Sequence, residues 1–137
     1  MSRVFRSIAL CLCALIAISS IPVFAIENAS DQIHRYDITV FESNNRIAVD
    51  FDVSSYDIMD CMGAESIAVY YKDGSRWIFL DEKTRDNNGM SHTNTSGFTN
   101  TIYFDGDSGC DYKVVVEIFA ENDEGYDSRI KTCYISL

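Results

Sequence analysis

Residues 109–128, GCDYKVVVEIFAENDEGYDS, decide the fold. Tyr112, Val114, Val116, Ile118 and Ala120 recur at every second position. That is the spacing of a strand with one buried face, because successive side chains point to opposite sides of a sheet. The polar run ENDEG (121–125) then supplies turn residues, and YDSRIKTCYISL (126–137) returns with β-branched and aromatic side chains. The stretch therefore predicts an antiparallel hairpin.

The period of two repeats elsewhere in the chain. In RIAVDFDV (46–53), Ile47, Val49, Phe51 and Val53 share one face, with Arg46, Ala48, Asp50 and Asp52 on the other. IHRYDITVF (33–41) is β-branched and aromatic, and ESNN (42–45) turns between these two segments. Residues 66–72 and 76–81 flank Asp73-Gly74, a dipeptide that predicts a type I′ hairpin turn. FTNTIYF (98–104) reads as a further strand. SSYDIMDCMGA (54–64) has no clear period and KTRDNNGMSHTNTSG (83–97) is rich in Asn, Ser, Thr and Gly, so both are expected to be loops, the second with room for a short edge strand. The expectation is all-β, with seven antiparallel strands at 33–41, 46–53, 66–72, 76–81, 98–104, 112–120 and 126–135.

The other end of the chain carries a different signal. Arg3 and Arg6 precede an apolar run from Ile8 to Ile18, Pro22 breaks it, and Val23 and Ala25 fit a small-residue cleavage site. This is the pattern of a secretory signal peptide over residues 1–25, cut between Ala25 and Ile26. A disordered lead-in (26–32) and one β-sandwich domain (33–137) are expected to follow, in an extracellular protein with no membrane contact after cleavage. Losing both leader arginines leaves nine basic residues against 21 acidic ones, a net −12. So acidic a chain repels nucleic acid; an extracellular protein or a glycan is the expected partner.

At 109–128 the pattern also resembles the last hairpin of a fibronectin type III or related immunoglobulin-like domain. In that family a tyrosine opens the penultimate strand, alternating apolar residues follow, and a small residue, an Asn-containing turn and a glycine close it. Tyr112, Val114, Val116, Ile118, Ala120, Asn122 and Gly125 stand in those places. The resemblance implies an immunoglobulin-like sandwich in which Tyr112 is structural, its hydroxyl bonding backbone upstream. Trp77, also expected to be structural, lies after the mid-chain hairpin rather than on an early core strand. The chain is similar, too, to small exported proteins of Gram-positive bacteria, which implies no activity. In the implied strand order Cys61 sits at one end of the sandwich, with Cys110 and Cys133 at the other. A Cys110–Cys133 disulfide is therefore expected, if a bulge or bend shifts Cys133 from its natural place opposite Val114. The alternative is three free or variably paired thiols.

Loops at one end of such a sandwich carry recognition in this fold class. Asp57 and Asp60 in the 54–64 loop, with Glu121, Asp123, Glu124 and Tyr126 around the last turn, form the expected binding end, suited to a cationic partner. Trp77, Phe79, Tyr71 and Tyr103 form a second set, able to stack on a glycan or to serve as cross-strand pairs. Asp105, Asp107 and Asp111 stand close enough in sequence for a calcium loop, although Cys110 stands where an EF-hand loop has its glycine and no glutamate closes it. No cofactor is otherwise expected. Catalytic signatures are missing, so the expectation is a non-catalytic binding module; the alternatives are a small hydrolase using Cys61 with His92, or a calcium-stabilised structural module. NAS (28–30) and NTS (94–96) match the N-glycosylation sequon, which matters only in a eukaryotic secretory route.

Overall fold

A computed structural model describes residues 32–137; the expected leader and residues 26–31 of the lead-in lie outside the described residues. Six strands follow in order: β1 (Arg35–Ser43), β2 (Arg46–Asp73), β3 (Arg76–Thr84), β4 (Ser91–Asp105), β5 (Asp111–Asn122) and β6 (Gly125–Ser136). All pairings are antiparallel. The expectation of seven strands is corrected to six, because 54–64 is not a loop. It is the middle of β2, which runs unbroken through both segments expected to be separate strands.

The physical reason is a change of parity. Odd positions Ile47, Val49, Phe51, Val53 and Met59 are buried; then even positions Met62 and Ala64; then odd positions Ile67 and Val69. The first change falls between Met59 and Met62, beyond a register shift that separates Ser54 from Met59, and the second coincides with a shift between Ala64 and Ser66. A bulge inserts a residue on one strand and bends it, which destroys the period locally without ending the strand.

β2 is the spine. Its first part pairs with β1 on one edge and β4 on the other; its last part pairs with β5 and β3, and β6 continues outward from β5. The sheet curls, so Ile38, Phe51 and Phe104 from the first half join one core with Ile67, Val114, Val116 and Ile118 from the second. Two lysines bridge the seams where strands approach without pairing. Lys131 Nζ on β6 donates to the Ile38 carbonyl of β1 at 2.6 Å, and Lys83 Nζ on β3 donates to the Tyr103 carbonyl of β4 at 2.9 Å. A charged side chain occupying an edge carbonyl hinders a foreign strand from pairing there.

The tight turns follow their residues. Asn44 and Asn45 both take positive φ, 53° and 59°, as a type I′ turn requires. At the next hairpin Asp73 pairs with Arg76, so the central residues are Gly74 and Ser75, not Asp73 and Gly74. Only Gly74 has positive φ, at 60°, which corrects the expected type I′ turn to type II′.

Tyr112 opens β5 and is 2% exposed. The Asp107 amide donates to its hydroxyl at 2.6 Å, and the hydroxyl donates to the Asp107 carbonyl at 3.3 Å. Burial raises the phenol above its ordinary value, opposed by the Asp107 amide and assisted by Cys110. A raised value means the unfolded chain ionises first, so this contribution to stability is whole below about pH 10 and is lost as pH rises further. Tyr112→Phe is expected to lower stability by about 1–2 kcal/mol at neutral pH, the loss of a buried hydrogen bond. Urea titrations at pH 8 and above pH 10 should show the gap between the two proteins narrowing at the higher pH; a constant gap would contradict the assignment.

The expected Cys110–Cys133 disulfide is corrected as well. β5 and β6 pair from Asp111↔Ser136 to Asn122↔Gly125 without a shift, so Cys133 stays opposite Val114. The bulge that would have brought it to Cys110 is not made. Cys61, Cys110 and Cys133 are all free thiols.

Candidate functional site

The outer face of β3–β2–β5–β6 is built by register. Phe79, Tyr70, Lys113 and Tyr134 form one rung across four strands, and Trp77 with Lys72 begins the next. Side chains on one rung face the same side of the sheet, so aromatic rings and ammonium groups interleave. The Trp77 and Tyr134 rings lie 5.6 Å apart at 45°. Tyr70 meets Phe79 edge-on at 5.8 Å. Lys113 Nζ sits 4.4 Å from the Tyr70 ring and 5.7 Å from that of Trp77, and Lys72 Nζ sits 5.8 Å from Trp77.

Beside Trp77 and Tyr134 lies an open groove of about 330 Å³, lined also by Lys72, Tyr112, Ile135, Asp111 and Ser136. The Ser136 hydroxyl donates to Asp111 at 2.6 Å. Tyr134 is 66% exposed and Phe79 55%. Rings this open on a sheet face leave stacking surfaces free for a ligand. A second hollow, of about 310 Å³, lies beyond Tyr112, lined by Tyr71, Leu80, Asp107 and Cys110.

The same face carries a different cluster towards the β5–β6 turn. Phe119 points away from the main core yet is fully buried. Arg85, from the β3–β4 connection, lays its guanidinium 4.1 Å over that ring, and Tyr126 stacks on it at 6.0 Å and 16°. Arg85 donates to Glu65 at 3.3 Å and also to Glu121. Burial works against the guanidinium charge, but Glu121, Cys61 and Glu65 outweigh it and hold the group above its ordinary value.

Against these positions, the expected binding end is divided. Glu121 and Tyr126 form a cross-strand pair and belong to the Arg85 cluster. Asp57 and Asp60 are exposed on β2 near the first register shift, and Asp123 and Glu124 are exposed in the turn. Cys61 pairs with Glu121, which brings Asp60 towards that turn. Of the aromatic set, Trp77 and Phe79 share the outer face. Tyr71, next along β2 from Tyr70, faces the opposite side and packs against the core. Tyr103 lies on the first half of the sheet beneath Arg46, 5.2 Å from its ring. Tyr70, Tyr134 and the two lysines were missed, since only the pairing register puts them beside Trp77.

The acidic loop has other partners. Asp105 accepts from Arg46 Nε at 2.9 Å, and Asp111 accepts from Ser136. Among the described residues no three or more His, Cys, Asp or Glu side chains converge as a metal site. Cys61 pairs with Thr93, and the adjacent rung pairs buried Met62 with His92. Adjacent rungs face opposite sides, so the Cys61 thiol and the His92 imidazole are not brought together. Compared with known proteins, the chain matches no family model and no curated protein. The site offers ring faces, the Lys72 ammonium and the Asp111–Ser136 carboxylate–hydroxyl pair in one open groove, with the Lys113 ammonium beside Trp77.

Proposed function

We propose that the protein is an exported, non-catalytic binding module that holds a glycan in the Trp77–Tyr134 groove. One observation carries the reading: the exposed Tyr134 ring and the half-buried Trp77 ring line a groove that also holds hydrogen-bonding groups. Sugar rings present C–H faces that lie against aromatic rings, and their hydroxyls need donors and acceptors at the rim, which Asp111 and Ser136 supply. The leader pattern of residues 1–25 supports export. Two facing halves of antiparallel strands, with Tyr112 bonding backwards at the start of β5, support an immunoglobulin-like sandwich in the broad sense.

Trp77 is the sole tryptophan, so its emission reports on the groove directly. Titration with soluble polysaccharides is expected to shift that emission. Tyr134→Ala is expected to weaken binding about tenfold, the equivalent of one stacking contact of about 1.5 kcal/mol. Trp77→Ala is expected to abolish retention of the protein on an immobilised polysaccharide. A variant with Asp57, Asp123 and Glu124 changed to Ser should bind as the parent does. If it alone lost binding, the site would belong at the acidic end, where Tyr56 and Ile58 are 76% and 65% exposed.

A further inference from the structure

The lysines of the aromatic face identify the kind of glycan. Among the described residues every ion pair uses an arginine: Arg35, Arg46, Arg85 or Arg129. Lys83 and Lys131 are occupied by the carbonyls of the two seams. Lys72 and Lys113 remain, both drawn over Trp77 from neighbouring strands, and neither forms an ion pair with a carboxylate. In a chain with 21 acidic residues against 11 basic ones, two ammonium groups gathered without a carboxylate partner are unusual company. Ring faces hold them in place, but a ring is a weak partner compared with a full negative charge.

We propose that the groove takes an acidic saccharide, a polymer of carboxylate-bearing sugar rings. One ring lies on the open face of Tyr134 beside Trp77, its carboxylate reaches Lys72 and Lys113 at the Trp77 end, and its hydroxyls meet Asp111 and Ser136. This rests on the glycan reading above and names the substrate class of the same groove. The net charge, −10 for the whole sequence and −12 without the leader arginines, does not forbid it. At physiological salt the Debye length is about 8 Å, so exposed acids beyond that distance are largely screened while the two lysines act at contact range.

The test uses the intact protein, with Trp77 emission and retention on immobilised polymer as readouts. The probes are polygalacturonate, alginate and hyaluronate, each with free carboxylates and as its methyl ester, and neutral dextran and xylan. At least one free acid is expected to bind about tenfold or more tighter than its own ester, and to weaken as salt rises. Lys72→Gln and Lys113→Gln should each erase most of that preference, and Lys113→Arg should restore it. Melting temperatures of the variants separate lost binding from lost folding. Equal binding of acid and ester, removed only by Trp77→Ala, would overturn the acidic assignment and leave the glycan reading standing. Binding of dextran or xylan with no response to any acid would do the same. Silence from every polymer would overturn both.

Discussion

Replacing Gly63 with alanine is expected to remove about 3–5 kcal/mol of stability, more than most single changes. On a domain of this size that lowers the melting temperature by roughly 15–20 °C. Gly63 has φ of 150° and lies where β2 is paired on both edges, with Ser91 of β4 and Phe119 of β5. A Cβ there would stand 2.3 Å from the Met90 carbonyl oxygen and 2.7 Å from the Ser91 Cα. Both are backbone atoms, so no side chain can swing aside. Relief requires β4 to move from β2, which strains the 2.7 Å bond from the Ala64 amide to the Met90 carbonyl. Met90 itself is fully buried, so the shift also disturbs the core. Gly74→Ala is the control. Its φ is also positive, at 60°, but nothing lies within 4 Å of the added carbon. It should cost less, about 1–2 kcal/mol, the penalty of positive φ alone. Thermal unfolding of both variants by circular dichroism checks the contrast; equal losses would mean that φ, not close approach, fixes Gly63.

The strand class was legible wherever one face is buried and the other wet. Ile47–Val53 and Tyr112–Ala120 alternate in the sequence and are strands in the protein. The middle of β2 was not legible. A period-based reading assumes constant parity, and parity changes twice between Val53 and Ile67. What looked like a loop is strand with its backbone hydrogen-bonded on both edges at Cys61–Gly63. The same limit applies to the site. Trp77 and Phe79 are two apart and visibly share a face, whereas Tyr134 lies beside Trp77 only through the β5–β6 register. The disulfide expectation failed for a related reason. It needed an irregular hairpin, and an unbroken register was the simpler outcome.

Arg85 was read as part of a structureless loop, and its substitution is expected to have the second largest effect. Arg85→Ala should destabilise the protein by about 3 kcal/mol, measured by urea denaturation. Two carboxylates lose their shared partner, and both are mostly covered: Glu65 is 29% exposed and Glu121 34%, against 28% for Arg85. Exposed ion pairs contribute only ~0–1 kcal/mol, and breaking a buried one costs ~3–5 kcal/mol, so a partly covered pair of bridges falls between. The guanidinium also covers Phe119, and removing it opens a fully buried ring to water. At ~25 cal/mol per Å² of apolar surface, uncovering one side of a ring adds roughly 1 kcal/mol. Arg85→Lys separates these contributions. It restores the positive charge but not the flat fork that meets Glu65 and Glu121 while lying on the ring. A loss of about 1.5 kcal/mol for lysine, midway to alanine, is expected on that account. If lysine matched the parent, charge alone would be holding the cluster. If it matched alanine, the flat fork and its cover over Phe119 would carry the whole effect.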